Sequence, residues 1–371
     1  MNDDGFFAAG LYEKLDPLIR DALSRKVFPS AAVGVSVSSG SGKRSFAAVW
    51  GNASLFPRPK KMSRETLFDL ASLTKPLATT LALICLVQDR KIHLDMTLPA
   101  LLQRDTPSDK KNITLRHLLN HCSGLAAHHP FYQQLADVAG QERKNTLLNL
   151  ILAEELCWPV ASTALYSDLG FILLGMIVEI QSGLPLDIFV REKVMAPLGL
   201  EDGLVFNPRQ KDKKNFAATE NCPWRKKVLA GEVSDDNTYA VGGVSGQAGL
   251  FGAIDSVLLL SSFLLDLWQD RAAHPYFSSA LLKEFLQRQH MVKESSWALG
   301  FDTPSPSGSS AGSFISPHSV GHLGFTGTSF WIDPERQLVM VLLTNRVHPS
   351  RENNLIRQFR PLFHDRIIKS L

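Results

Sequence analysis

Ser72 and Lys75 lie three residues apart in the stretch Phe68–Thr80 and are the residues with the clearest chemical potential. If a helix begins there, the two side chains share one face and can meet. Such a pair suits acyl transfer, because a serine hydroxyl is a weak nucleophile until a nearby base takes its proton. Lysine can be that base only where burial or a neighbouring cation lowers its pKa.

Pro76 predicts where this helix starts, because its ring would clash with the carbonyl four residues earlier. Regular helix should therefore begin near Ser72, where free backbone N–H groups and the helix dipole favour a developing oxyanion. The Ser-x-x-Lys spacing alone is common, and a serine cap followed by an exposed lysine would also explain it. The nearly unbroken apolar run 77–87 favours a buried helix with the lysine at its head.

A second candidate is Tyr166-Ser167-Asp168, at the start of another apolar helix. One interpretation is that Ser167 or Asp168 caps that helix. The other is that the tyrosine oxygen and a short polar group face the serine and share its proton.

His322 is the third candidate, in the glycine-rich stretch Gly321–Ser329 that opens a predicted strand. A lone histidine is more often structural, but glycine lets the backbone approach a ligand closely. The N–H groups of such a strand can also donate to an oxyanion.

The elements that must position these residues are predicted from hydrophobic periodicity. Strands are expected at 32–37, 45–50, 328–332 and 338–344, with a turn at 39–42 and helices at 13–24 and 353–368. The middle of the chain is predicted to be mostly helical, with segments at 115–119, 147–156, 169–181 and 186–194. We therefore predict an α/β fold with an antiparallel sheet built from both chain ends, flanked by terminal helices. Residues 1–75 with 236–371 would form this domain, 76–235 an inserted α-helical domain, and the active site their interface.

The three motifs occur in the order found in the serine β-lactamase and penicillin-binding-protein superfamily, which the chain resembles from about Leu15 to its end. That superfamily carries S-x-x-K, then Y-x-N or S-x-N, then K-T-G or H-x-G. The segment Leu118–Leu125 resembles the L-L-x-H-x-S-G-L sequence of the class C-like branch. Segments 231–237 and 242–251 are similar to those of class C-type D,D-carboxypeptidases and related hydrolases.

The resemblance implies a role for each matching residue. Ser72 would be the acylated nucleophile, Lys75 its proton acceptor, and Tyr166 a base or a donor to the leaving group. His322 would orient the tyrosine or bind a substrate carboxylate. The remaining implied positions are the backbone N–H groups of Ser72 and Phe325 as oxyanion hole, and Asp168, Leu323 and Gly324 as substrate contacts.

Three departures from the family pattern bear on these roles. Asp168 replaces the usual asparagine, so an amide donor becomes an acceptor when ionised. The sequence His322-Leu323-Gly324 lacks the hydroxyl of K-T-G, which weakens the case for efficient β-lactam turnover. Ser234 and Gln247 stand where similar sequences frequently have histidines.

Composition limits the partners. The 371 residues are 44% hydrophobic and 20% charged, with a formal charge of +3, which is too small to indicate nucleic acid or an acidic membrane as partner. The longest apolar runs are too short to predict a membrane span. The acidic start has no signal-peptide pattern, and the four widely spaced cysteines contain no C-x-x-C pair, so we expect a cytoplasmic protein with buried thiols at Cys85 and Cys157. The sequence does not predict an oligomeric state.

A metal interpretation is invited by a group of four histidines, His117, His121, His128 and His129. His117 and His121 lie four apart on a predicted helix. No H-E-x-x-H pattern accompanies them, so capping or packing histidines are favoured, and we expect neither metal nor cofactor.

These observations predict a serine acyl hydrolase acting through an acyl-enzyme on a small molecule or short peptide. Peptidoglycan-derived peptides ending in D-amino acids, or small esters, are the expected substrates. The alternatives are a class C-like β-lactamase and a catalytically silent sensor that binds penicillin or wall peptides.

Overall fold

The computed structural model describes residues 3–39, 42–208 and 215–371, so the tip of the predicted 39–42 turn lies outside the described residues. The strands are β1 Ser30–Ser39, β2 Gly42–Ser54, β3 Lys60–Lys61, β4 Phe68–Asp69, β5 Leu204–Phe206, β6 Asn221–Cys222, β7 Lys227–Val228, β8 Leu250–Gly252, β9 Val320–Leu323, β10 Ser329–Asp333 and β11 Leu338–Thr344. The helices are α1 Asp3–Ser24, α2 Leu81–Gln88, α3 Leu98–Leu102, α4 Leu115–Leu119, α5 Arg143–Ala153, α6 Asp168–Ser182, α7 Leu186–Val190, α8 Asp236–Ala240, α9 Ile254–Trp268, α10 Ser279–Leu286 and α11 Ile356–Ile368.

A six-stranded antiparallel sheet joins the two ends of the chain, with strand order β3-β2-β1-β11-β10-β9. The central pairing sets Ala31 of β1 opposite Thr344 of β11. Smaller sheets, β4-β8-β5 and β6-β7, lie beside it. The antiparallel sheet expected from both chain ends is therefore confirmed.

Helices cover both faces of the six-stranded sheet because its central strands are apolar on both sides. Along β11, Val341 and Leu343 pack into one core, and Met340 and Leu342 into another, as the two-residue period of a strand requires. The terminal helices α1 and α11 contribute to the second core, and α9 contributes to the first. The sequence predicted the two terminal helices but not the cover by α9.

The predicted helix at Ser72 differs from the structure in its hydrogen bonding. Ala71–Leu73 forms a 3₁₀ turn, Lys75–Thr80 a π-helical segment, and regular α-helix begins only at Leu81. Pro76 is the physical reason, because it has no N–H to donate and its ring excludes α-helical packing of the preceding turn.

The run Ala71–Gln88 is long and apolar enough to cross a membrane, but 83% of it is buried inside the protein. Such burial is typical of a core helix. Within the part of the chain that the structure describes, a second apolar stretch long enough to cross a membrane is found only if α6 and the segment Leu186–Leu198 are joined across a 76° bend.

Cys85 is buried as expected, whereas the expectation for Cys157 is wrong. That residue is exposed, because it lies in the loop between α5 and α6 and not inside either helix. The predicted domain boundaries at 75 and 236 stay a prediction.

Candidate active site

The three motifs meet at one cleft of about 720 Å³. Its lining includes Ser72 from the turn after β4, Tyr166 and Asp168 from the start of α6, and His322 from β9. Residues separated by as many as 250 positions in the chain therefore share one surface.

Lys75 is the centre of the polar contacts. Its Nζ lies 3.1 Å from Ser72 Oγ, 2.7 Å from Asp168 Oδ1 and 3.2 Å from the carbonyl oxygen of Gln247. The side chain is 0% exposed. The predicted Ser–Lys contact is present, and two further acceptors complete the surroundings of the ammonium group.

The pKa of Lys75 is raised, although a proton acceptor needs it lowered. Burial acts to lower the pKa, but the charge of Asp168 and the hydrogen bonds of Asp168 and Tyr166 to the amine outweigh it. The resting site therefore holds Lys75 as an ammonium ion. Asp168, at the position where the family usually has asparagine, is the main reason.

Asp168 connects the buried lysine to a histidine at the surface. Its second oxygen lies 3.7 Å from Nδ1 of His128, whose side chain is 48% exposed. Burial acts to raise the pKa of the Asp168 carboxyl. Lys75 and His128 have a larger effect in the opposite direction, so the pKa lies well below its usual range. The nearby Asp168 carboxylate raises the pKa of His128.

Tyr166 is held by aromatic packing. Its ring stacks on Trp297 with centroids 5.5 Å apart, and Lys75 Nζ lies 4.7 Å from its centroid. Burial raises the pKa of Tyr166 overall, while Lys75 and Ser72 act on the phenol in the opposite direction. The neutral phenol can therefore donate a proton beside the nucleophile.

His121 fixes the backbone on both sides of Tyr166. Its carbonyl oxygen accepts from the N–H of Leu165 at 2.8 Å, and its Nδ1 accepts from the N–H of Ser167 at 3.1 Å. Burial lowers the pKa of His121 well below its usual range, which keeps Nδ1 free to accept. The predicted packing role of this histidine is confirmed. Ser167 is also the cap of α6, through its Oγ and the N–H of Gly170 at 3.2 Å.

His322 is a neutral hydrogen-bond acceptor that lines the same cleft. It is 2% exposed and pairs with Phe330 in the register of β9 and β10. Its Nδ1 lies 2.8 Å from the carbonyl oxygen of Leu323, so that nitrogen carries the proton and Nε2 is the acceptor. No described group bonds to Nε2. Burial lowers the pKa of His322 to about 3, so it cannot supply the positive charge of a third-motif lysine.

Phe325 lies in the turn between β9 and β10. The turn is closed by hydrogen bonds from the N–H of Gly324 to the carbonyl of Thr328 at 2.8 Å and from the N–H of Gly327 to Gly324 at 3.1 Å. No described group accepts a hydrogen bond from the Phe325 N–H. That amide is therefore available for an oxyanion, as the resemblance implies. Leu323 and Gly324 line the cleft beside it.

The two unusual polar residues, Ser234 and Gln247, also line the cleft. The Gln247 side chain donates to Asp235 Oδ1 at 3.1 Å and to Thr238 at 2.8 Å. The backbone carbonyl of Gln247 accepts from Lys75. The Ser234 hydroxyl donates to Glu220 at 3.2 Å. Both residues position neighbouring chain segments.

With this geometry described, comparison with known proteins identifies the family. A family model described as Beta-lactamase matches residues 15–362. The chain belongs to the β-lactamase family. It is a serine hydrolase of that family, with the β-lactamase/transpeptidase fold.

Individual β-lactamase-family relatives carry several names. N-acetylmuramyl-L-alanine amidase of Bacillus subtilis (strain 168) is 34% identical over 327 residues, covering 79% of this chain and 71% of that protein. A putative D-alanyl-D-alanine carboxypeptidase of Escherichia coli (strain K12) is 34% identical over 322 residues, covering 79% and 72%. Among solved structures, EstCE1, a hydrolase with promiscuous acyltransferase activity, has a TM-score of 0.76 at 22% identity, covering 98% of this chain and 99% of that chain. At that identity the likeness bears on the fold alone.

One end of this β-lactamase-family cleft is strongly basic, which sequence reasoning missed. Arg346, Arg357 and Arg360 line it, and no ion pair within the described residues joins any of them to a carboxylate. Arg351 also lines the cleft but pairs with Glu220. The only available signal was the recurrence of arginine between 346 and 360, and the local sequence does not tell which of these arginines is paired.

Trp297 and Asp302 were also missed, because they belong to a segment without a motif. Trp297 packs against Tyr166, and burial raises the pKa of Asp302 to about 6 beside the same cleft.

The histidines interpreted as possible metal ligands have other partners. His117 forms a capping box with Thr114 at the start of α4, which confirms the capping prediction. Among residues 3–39, 42–208 and 215–371, no cluster of three or more His, Cys, Asp or Glu side chains has a metal-binding arrangement.

Proposed function

We propose that this serine hydrolase cleaves amide bonds in short, peptidoglycan-derived peptides that end in a D-amino acid with a free carboxylate. The observation that carries the proposal is the contact between Ser72 Oγ and Lys75 Nζ, 3.1 Å apart in a cleft that also holds arginines without carboxylate partners. The printed names of the bacterial relatives, an amidase and a putative D-alanyl-D-alanine carboxypeptidase, support the same substrate class.

The reaction proceeds through an acyl-enzyme. Ser72 Oγ bonds to the substrate carbonyl carbon, the C–N bond breaks, and the serine proton is relayed to the leaving amine. Water then attacks the ester, its proton returns to Ser72, and the acid product leaves. Lys75 and Tyr166 relay these protons, and the N–H groups of Ser72 and Phe325 receive the charge on the carbonyl oxygen.

The arginine-lined end of the cleft suits the carboxylate of such a peptide. Arg357 is exposed and has no ion-pair partner among the described residues, so a ligand carboxylate would not have to displace an acidic side chain from it. Guanidinium groups bind carboxylates with two parallel hydrogen bonds.

Efficient β-lactam turnover is disfavoured by the third motif. His322 is neutral and Leu323 has no hydroxyl, so the charge and the hydroxyl of K-T-G are both missing. A cytoplasmic location stays a prediction, which cell fractionation would test.

The first prediction is that Ser72→Ala abolishes turnover of a D-Ala-D-Ala peptide and of p-nitrophenyl esters. Loss of a serine nucleophile costs on the order of 10⁶ in kcat in a well-studied protease, and we expect at least about 10³-fold here. Mass spectrometry should find a fluorophosphonate on Ser72 in the unmodified enzyme and no adduct in the variant.

Ser162→Ala is the matched control, since Ser162 is exposed and bonds only to a loop carbonyl, and it should keep full activity. Full activity in Ser72→Ala would contradict the proposal. Saturable nitrocefin hydrolysis without peptide cleavage would favour a β-lactamase. Labelling without turnover of any substrate would favour a sensor.

A further inference from the structure

Arg360 is a buried arginine without a carboxylate partner in the described chain. It lies on α11, is 6% exposed, and lines the cleft. Its Nη2 donates to two backbone carbonyl oxygens, those of Gly324 and Thr328, each at 2.7 Å. Its Nε has no partner in the described chain.

Burial of an unpaired cation at this position lowers the stability of the fold. Burial, together with the charges of Arg346 and Arg357, lowers the pKa of Arg360 to about 9, so it is still charged at neutral pH. A buried charge without an opposite charge destabilises a fold, and apolar groups of similar volume would avoid that cost. The groups that the guanidinium binds are the two carbonyl oxygens, of Gly324 and Thr328.

The Gly324 carbonyl belongs to the same peptide unit as the Phe325 N–H. A trans peptide is planar, with its C=O and N–H pointing in opposite directions. A hydrogen bond that fixes the carbonyl therefore also fixes the N–H, which has no acceptor among the described residues. A cationic donor on the carbonyl also polarises the amide and strengthens its N–H as a donor.

The next carbonyl along the chain is held in the same way. Arg346 Nε donates to the Phe325 carbonyl at 2.8 Å, and its guanidinium lies 4.5 Å from the centroid of the Phe325 ring. The peptide units on both sides of Phe325 thus receive charged donors. Gly324 itself adds little stiffness, because glycine has more backbone freedom than any other residue.

We propose that Arg360 is a positioning residue for acyl transfer, which holds and polarises the Gly324–Phe325 peptide so that its N–H stabilises the oxyanion. This inference rests on the proposed function, in particular on Ser72 as nucleophile. Arg360 contacts backbone carbonyls only, so its effect reaches the substrate through the amide of Phe325.

The test compares Arg360→Gln with the unmodified enzyme on a neutral p-nitrophenyl ester, which makes no use of the basic end of the cleft. Removal of a direct oxyanion donor costs about 10²–10³ in kcat, and loss of its orientation should cost about tenfold to 10²-fold, with KM little changed. A boronic acid forms a tetrahedral adduct on the serine with an oxygen in the oxyanion hole. Its inhibition constant should rise by a similar factor.

Arg366→Gln is the control, because Arg366 is an exposed arginine of the same helix outside the cleft, and it should leave both measurements unchanged. In Arg360→Ala, added guanidinium should restore part of kcat, whereas urea, which is neutral and similar in shape, should not. If Arg360→Gln does not fold, the same measurements are made on Arg360→Lys, which keeps the cation with fewer donors. Its kcat should be lower, and its boronic acid inhibition constant higher, than in the unmodified enzyme.

A purely structural Arg360 would lower the melting temperature while leaving the boronic acid inhibition constant unchanged, and that outcome would overturn the inference. Ser72→Ala separates the two proposals. If Ser72→Ala is inactive and the Arg360 variants keep full kcat and boronic acid affinity, the positioning role fails and the proposed function stands.

Discussion

At the scale of single residues, Asp168 sets the protonation of the active site. Its carboxylate lies 2.7 Å from Lys75 Nζ and raises the pKa of the lysine against the effect of burial. Before Lys75 can accept a proton from Ser72, it must first lose one. We therefore expect kcat/KM to rise with pH until the Lys75–Tyr166 pair has lost that proton.

The Asp168→Asn variant should shift this rise to lower pH. Without the carboxylate, burial is the largest remaining influence and lowers the pKa of Lys75, so the neutral amine forms earlier. An opposite charge this close shifts a pKa by about one to three units, and the rising limb should move by a similar amount. The measurement is kcat/KM for a neutral ester across pH.

Glu154→Gln is the matched control, because Glu154 pairs with His129 at 3.1 Å and does not line the cleft. This variant should leave the pH at which kcat/KM rises unchanged. If kcat/KM rises at the same or a higher pH in Asp168→Asn than in the unmodified enzyme, Lys75 is not the group whose deprotonation limits the reaction.

At the scale of elements, the close approach of α6 to the segment before β8 positions the acceptors around Lys75. Gly175 of α6 faces Gly246, and neither has room for a side chain. The carbonyls of Gly246 and Gln247 then accept from Thr79 at 2.8 Å and Lys75 at 3.2 Å. Packing between two glycines thus decides where the lysine head group lies.

Gly175→Ala should destabilise the protein and lower kcat. A Cβ at this position would lie 2.7 Å from the backbone nitrogen of Gly246, closer than side chains normally approach. Overpacking of this kind costs about 1–3 kcal/mol, and the displaced segment carries the carbonyl that faces Lys75. Urea unfolding and ester kinetics measure the two effects.

Gly170→Ala, on the same helix, is the control. Its Cβ would meet its nearest neighbour at 3.7 Å, an ordinary contact, so the free energy of unfolding should be unchanged or raised by up to about 1 kcal/mol. Equal stability of the two variants would contradict the importance of the close approach.

At the scale of the whole molecule, the cleft carries charged side chains of both signs although the net charge is only +3. Asp168, Asp235 and Asp236 line it together with Arg346, Arg357 and Arg360. These three arginines have no ion-pair partner among the described residues, so they attract an anionic ligand, and a groove with low-dielectric walls strengthens that attraction.

The attraction of these arginines for a carboxylate predicts a salt dependence. For a thioester with a carboxylate on its leaving group, kcat/KM should fall about threefold to tenfold between low and high salt, because ions screen the attraction. The same thioester methylated at the carboxylate should change little. Arg357→Gln should reduce the difference between the two substrates, and equal salt dependence of both would contradict carboxylate recognition at this end.

Much of the fold follows from local patterns. Apolar runs separated by turn residues, and the apolar faces of the terminal helices, predict a sheet closed by both chain ends. The contact of Ser72 with Lys75 follows from a spacing of three residues. The cover by α9 and the exposure of Cys157 do not follow, because they depend on where distant segments pack.

The sequence by itself determined the residue types of the three motifs, their order, and the helical proximity of the nucleophile and its lysine. Only the tertiary structure decided that Lys75 is held as an ammonium ion, that His322 is neutral, and that Arg360 faces the Gly324 carbonyl. The physical reason is that burial and nearby charge act on Lys75 with opposite signs. Which effect is larger depends on distances between segments as far apart as 93 and 172 residues, and no local pattern contains those distances.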